Sequence, residues 1–259
     1  MKQNSENPFF GTYQTPFGTP PFDRIKTKHY EPAFDEGIRQ LDKEVQAIAN
    51  NTEPPTFKNT IVALERSGKL LDKVCSVFFN VLSAEANDEM MDISQRVSPK
   101  LSESSNNIYL NEKLFKRIKH VYDRKEELHL STEDVRLLEK TFEAFSICGA
   151  ALGPEDKEKY RKLSSELSLL SLTFDQNALK DKNRYELVLT KKDELEGLPE
   201  SIREAAALRA KEKGKNGWLF NLSAPSYVAF MRYSASRELR EKMYREYISI
   251  GNKGDEYDN

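Results

Sequence analysis

The strongest constraint on this chain is the spacing of its apolar residues. Phe34, Ile38, Leu41, Val45 and Ile48 step by four, three, four and three, an interval that puts all of them on one side of a helix. The rhythm returns in Leu70, Leu71, Val74, Val77, Phe78, Val81 and Leu82, and again in Leu114, Phe115, Ile118, Val121 and Tyr122. It is longest in Tyr160, Leu163, Leu167, Leu170, Phe174 and Leu179. A chain with a helical hydrophobic period over most of its length buries that surface by packing helix on helix. With only 11 glycines and 11 prolines in 259 residues, interruptions are few. The expectation is a mainly α fold, an irregular multi-helix bundle.

The interruptions mark boundaries. Residues 1–28 are rich in Phe, Pro, Thr and Gly and lack a period, which predicts an extended N-terminal arm. No Pro-x-x-Pro spacing occurs there, so the reading is an arm that tucks its Phe side chains into its own domain. A helix should open at Glu31-Pro32, where the missing N–H of proline costs nothing, and another should stop at Ser67-Gly68. Pro99 predicts a kink or break in the helix from Asp88 to Ile108. Ser131 reads as an N-cap, and Pro154 opens the longest helix. After Asn183 the period changes. Tyr185 to Thr190 alternates and Trp218 to Leu222 is β-prone, which predicts a small two-stranded β element near residues 185–222, with an alanine-rich helix between the strands. The expected organisation is an arm at 1–28, a helical domain at 29–183, and a β-α-β insert followed by helices at 184–259.

Forty Lys and Arg against 42 Asp and Glu leave a net charge of −2, so no global field gathers nucleic acid or an acidic membrane, and neither is expected as a partner. The one cationic helix face, Lys116, Arg117, Lys119, Arg124 and Lys125, is diluted by Asp123, Glu126 and Glu127 and reads as solvated. No apolar run reaches the ~18 residues of a transmembrane helix, and the N-terminus lacks a signal-peptide core; a cytoplasmic location is the expectation. Cys75 and Cys148, each among apolar neighbours, read as buried structural thiols. The sequons at Asn50 and Asn221 read as chance.

The chemistry-bearing residues are sparse. None of the three histidines, His29, His120 and His129, has a partner four residues away, so a His-Glu-x-x-His zinc helix is absent, and two isolated cysteines make no thiolate site. No Gly-x-Ser-x-Gly elbow or Walker loop occurs, and Gly214-Lys215-Asn216-Gly217 reads as a helix end followed by a turn. Acidic pairs are too common at 32% charged residues to single one out. The residues therefore offer no catalytic, metal-binding or cofactor-binding candidate.

Several segments taken in order carry a resemblance. They are Pro20-Pro21-Phe22-Asp23, His29-Tyr30-Glu31-Pro32-Ala33-Phe34, Thr56-Phe57-Lys58-Asn59-Thr60-Ile61, Leu64-Glu65-Arg66-Ser67-Gly68 and Ser98-Pro99-Lys100-Leu101. Gly197-Leu198-Pro199-Glu200-Ser201, Pro225-Ser226-Tyr227, Arg237-Glu238-Leu239-Arg240 and Gly254-Asp255-Glu256-Tyr257-Asp258-Asn259 follow. Together they resemble the N-terminal half of zinc metallopeptidases of the thimet oligopeptidase and oligopeptidase A family, in its peptidyl-dipeptidase (dipeptidyl carboxypeptidase) branch.

The resemblance implies a nearly all-helical ellipsoid of two halves flanking a narrow channel, this chain forming one wall. It implies release of C-terminal dipeptides from short unfolded peptides, with one zinc ion bound outside this chain. Ligands and catalytic Glu would come from the C-terminal half, and no position here matches them. That half would be the chain's partner, and apolar surface exposed in its absence should drive self-association. The alternatives are an oligopeptidase A-like endopeptidase fragment and a free-standing helical peptide- or protein-binding module without catalysis.

Overall fold

The computed structural model describes residues 7–85 and 87–259; the first six residues of the expected arm and Ala86 lie outside them. The described chain is mainly helical and forms two compact units, one ending at Leu169 and one covering Leu170–Asn259.

In the first unit the described part of the arm alternates extended stretches with 3₁₀ turns at Pro8–Phe10, Pro16–Gly18 and Thr27–His29. It tucks in Phe9, whereas Phe17 and Phe22 stay exposed, so the expectation of tucked aromatic residues does not extend to those two. Helix α1 (Tyr30–Ala49) carries the stripe read from the sequence, with Phe34, Val45 and Ile48 buried. A π-helical turn, Phe57–Val62, runs into α2 (Ala63–Glu65). Helix α3 (Lys69–Glu85) lies so close to α1 that a methyl group added to Gly37 would sit 3.0 Å from the Leu71 backbone. Phe9, Tyr30, Phe34 and Phe78 form the aromatic centre of this core, with the Phe34 and Phe78 rings 5.3 Å apart and edge-on.

Helix α4 (Asp88–Tyr109) corrects part of one expectation: it runs through Pro99 without a break. Proline costs ~3 kcal/mol or more inside a helix. The burial of Met90, Ile93, Val97, Ser104 and Asn106 on both sides of it offsets that cost. Exposed ion pairs Arg96–Glu31 (2.9 Å) and Lys100–Asp35 (2.6 Å) fix the register of α4 on α1, each contributing ~0–1 kcal/mol. Helices α5 (Glu112–Asp123) and α6 (Thr132–Ile147) build a second core around Val45, Ile61, Leu114, Ile118, Leu138 and Phe145.

A second correction concerns α5. Arg117 is not on a solvated face but 7% exposed, donating to the carbonyls of Asn51 (2.8 Å) and Glu53 (3.0 Å) and to the side chains of Asn59 (3.0 Å) and Thr60 (3.3 Å). It fastens the Asn51–Thr60 connection between α1 and α2. Lys116, Lys119 and Arg124 do face water, Lys119 paired with Asp123 and Arg124 with Glu127, whereas Lys125 is half-buried and paired with Glu139 of α6 at 2.7 Å.

Helix α7 (Pro154–Arg184) is the longest. Its first-unit part is held by Lys157 to Glu112 (3.2 Å), Arg161 to Asn107 (2.8 Å) and Ser164 to Asn106 (3.1 Å), while Leu163 and Leu167 are each 65% exposed. Its second-unit part leaves Leu170 and Phe174 exposed.

In the second unit β1 (Leu187–Leu189) pairs antiparallel with β2 (Trp218–Phe220), Leu187 opposite Phe220, and α8 (Glu200–Glu212) joins them. This is the element expected from the change of period. Gly217, at φ +101°, brings the turn so close to the Leu189 carbonyl that no Cβ fits. Helices α9 (Ala224–Tyr233) and α10 (Arg237–Ile248) close a core of Leu187, Leu189, Ala206, Phe220, Phe230 and Met243.

Candidate functional site

One face of α4 carries Leu101, Ser105 and Tyr109, four residues apart, and on it two cavities of about 460 and 380 Å³ meet. The helix period aligns these three side chains, and α1, α2, α3, α6 and the start of α7 supply the walls. The larger cavity is floored by Leu41, Leu64, Leu71, Ile108, Leu137 and Phe145, with Glu65 and Lys140 its charged lining residues. The smaller is lined by Ser98, Ser102, Ser164, Ser168, Asn106 and Tyr160, with Cys148 among them.

The geometry is fixed by local contacts. The Tyr109 ring packs at 4.9 Å from that of Phe145. Asn106, 6% exposed, donates to Ser164 at 2.8 Å. Burial pushes the Tyr109 hydroxyl above its ordinary range, as it does Tyr160, where a hydrogen bond with Cys148 adds to the effect. Both phenols therefore stay protonated near neutral pH and act as hydrogen-bond donors, not bases. The trough offers an apolar floor on one side and hydroxyl and amide groups on the other.

The residues singled out in the sequence are not brought together. His29 ends the arm and accepts from the Lys26 N–H at 3.0 Å, His120 is exposed on α5, and His129 lies in the α5–α6 connection at φ +47°. Among the described residues no group of three His, Cys, Asp or Glu stands where it would hold a metal ion. The donors present do not fit a zinc site. Both cysteines are free and half-buried. Burial pushes the Cys75 thiol up to about 11, in keeping with a structural role, whereas Cys148 lines a cavity, which its apolar neighbours did not signal.

No protein-family model matches the chain. Individual relatives do. The chain is 40% identical to the dipeptidyl carboxypeptidase of Escherichia coli (strain K12), over 92% of this chain and 35% of the relative. It is 36% identical to the dipeptidyl carboxypeptidase of Salmonella typhimurium, over 98% of this chain and 38% of the relative. Against oligopeptidase A of E. coli it is 28% identical, over 90% of this chain and 34% of the relative. The chain belongs to the dipeptidyl carboxypeptidase and oligopeptidase A family. It is an N-terminal part of that family and spans about a third of the length of these relatives. The resemblance carried by the ordered segments from Pro20 to Asn259 thus identified the family to which these dipeptidyl carboxypeptidases belong.

Proposed function

We propose that this chain forms part of the substrate-channel wall of a zinc-dependent peptidyl-dipeptidase, an enzyme that removes dipeptides from the C-termini of short unfolded peptides. The chain supplies binding surface, and the zinc ligands and catalytic groups lie elsewhere in the parent protein. The observation that carries this reading is the 40% identity to a dipeptidyl carboxypeptidase across 92% of the chain. It favours dipeptide release over an oligopeptidase A-like reaction, for which the identity is 28%.

Two features of the fold support the reading. The α4 trough pairs an apolar floor with hydrogen-bonding groups, the surface an extended peptide needs for its side chains and amides. The exposed Leu163 and Leu167 in the first unit, and Leu170 and Phe174 in the second, offer apolar surface for the remaining part of the parent. The proposal includes a cytoplasmic location; among the described residues no helix is long and apolar enough to cross a membrane.

The test is to replace the matching third of the E. coli dipeptidyl carboxypeptidase with this chain and assay dipeptide release from an N-blocked tetrapeptide with zinc present. The expected chimera is active, and Tyr109→Ala in it raises KM with little change in kcat. The chain alone is expected to turn over nothing. Turnover by the isolated chain, or a chimera that releases only longer fragments, refutes the reading.

A further inference from the structure

Phe17, in the arm, is 103% exposed, and its backbone lies at φ +60° and ψ 13°. Among the described residues the others with positive φ are glycines and His129. Phe17 and Gly18 (φ +66°) form the centre of a tight turn, closed by the Gly18 N–H on the Thr15 carbonyl (3.0 Å) and the Thr19 N–H on the Pro16 carbonyl (3.3 Å). Gly, Asn and Asp suit a turn with two successive positive φ angles, and a bulky side chain does not. A single exposed phenylalanine would call for no explanation. Here the backbone favours glycine and the surroundings favour a polar side chain, the kind of local conflict that concentrates at functional sites.

The turn is held firmly on both sides. Before it, Phe9 is buried in the first core, and the Lys73 ammonium of α3 donates to the carbonyls of Phe9 (2.9 Å) and Gly11 (2.6 Å). After it, Ile25 is buried in the same core. Within it, the Thr15 hydroxyl donates to the Thr19 carbonyl and the Thr19 hydroxyl to the Pro16 carbonyl at 3.1 Å. A methyl group added to Gly18 would meet nothing within 4 Å beyond its chain neighbours, so the turn stands clear of the helices. A fixed, projecting ring, with Phe22 also 58% exposed, has the form of a preorganised anchor that fills a pocket in a partner.

We propose that Phe17 anchors the arm in an apolar pocket of the part of the parent peptidase that lies beyond this chain. The match to the Salmonella typhimurium relative covers 98% of this chain, too much to leave out the Phe17 turn, and 38% of that relative. The arm therefore belongs to an architecture most of whose length lies outside these residues, and that remainder is the partner available to the ring. The inference rests on the reading that the chain is part of a longer peptidase, and it is independent of which bond that peptidase cuts.

The experiment compares deuterium uptake by peptides from residues 12–22 in this chain alone and in the chimera with the E. coli relative, each with Phe17 intact and as Phe17→Ala. The expected uptake is at least about tenfold slower in the chimera than in the chain alone. Phe17→Ala should abolish that protection and leave uptake by α4 peptides unchanged. In the chain alone, Phe17→Ala should leave the melting temperature as it is, and Phe17→Gly should leave it unchanged or raise it, since glycine suits the backbone there. Equal uptake in chimera and chain, protection that survives Phe17→Ala, a chimera that does not fold, or a lowered melting temperature of either variant of the chain alone would each overturn the proposal. So would sedimentation showing that the chain alone associates through Phe17, which makes a second copy the occupant. Dipeptide release is assayed separately. A chimera that releases dipeptides with an unprotected arm sinks this inference alone, and one that protects the arm but releases longer fragments sinks only the proposed reaction.

Discussion

Replacing Asp181 by asparagine should destabilise the second unit by about 3 kcal/mol. The carboxylate is 1% exposed and accepts three hydrogen bonds, from the Gly251 N–H (2.8 Å), the Lys253 ammonium (2.9 Å) and the Arg184 guanidinium (2.7 Å). It thereby ties the last turn of α7 to the residues that follow α10. Asparagine keeps one acceptor oxygen and turns an NH₂ donor toward groups that are themselves donors. A hydrogen bond to a charged group contributes ~1.5–3 kcal/mol. Lys253 and Arg184 are 19% and 36% exposed and rehydrate once released, so their losses fall at the low end. The assay is urea unfolding followed by the fluorescence of Trp218, the single tryptophan, which sits in β2 of this unit. The pH dependence adds a second readout. Burial alone would raise the Asp181 carboxyl, but the Gly251 N–H, Lys253 and Arg184 outweigh it and hold it below its ordinary value. A depressed native value means the stabilisation is fully present above the unfolded value of ~3.9 and is lost as pH falls through the native one. The gap between wild type and Asp181→Asn should be constant from about pH 5 to 8 and shrink below about pH 4. A loss under about 1 kcal/mol at neutral pH, or a gap undiminished in acid, would refute the reasoning.

Arg117→Met should cost about 3 kcal/mol in the first unit, because four oxygens lose their shared donor, and Arg117→Lys should not restore it, since an ammonium lacks the planar fork; chemical denaturation followed by circular dichroism reads both. Tyr13→Phe should stabilise by about 1 kcal/mol, since the Tyr13 hydroxyl is buried with no hydrogen-bond partner; an unchanged or lowered unfolding midpoint would contradict this. With an aromatic disulfide reagent at pH 8, Cys148 in its cavity should react first and Cys75, pushed up to about 11, far more slowly, as peptide mapping after partial labelling would show.

Hydrophobic period made the helices legible, and the change of period at Tyr185 made the small sheet legible, because both signals are local. The stripe from Phe34 to Ile48 needs no knowledge of its partner to announce which side is buried. Pro99 leaves its helix unbroken for the complementary reason. Its local penalty is real, but the outcome was set by packing on both sides of it, through residues distant in sequence. Arg117 shows where residue type was weighted above position. It stands three after Leu114 and four before Val121, squarely on the buried stripe of α5, and the spacing was available to say so. Its acceptors, the carbonyls of Asn51 and Glu53, carry no sequence signature at all.

The same distinction explains why the candidate site was invisible. A trough exists only where Leu101, Ser105 and Tyr109 of α4 meet Leu41, Leu137 and Tyr160 from three other helices, and no motif spans such separations. The stripe of α7 is the converse case. Leu163 and Leu167 keep a perfect core spacing yet are 65% exposed, because the polar residues Lys157, Arg161 and Ser164 on another side of the helix make its contacts within the first unit. A helix anchored through its polar side while its apolar side stays open leaves stabilisation unrealised, since each exposed leucine forgoes much of the ~1.5–3 kcal/mol that full burial gives. On the proposed reading the remainder of the parent peptidase supplies that cover, so the apolar period of α7 was written for an interface and the periods of α1 and α5 for a core.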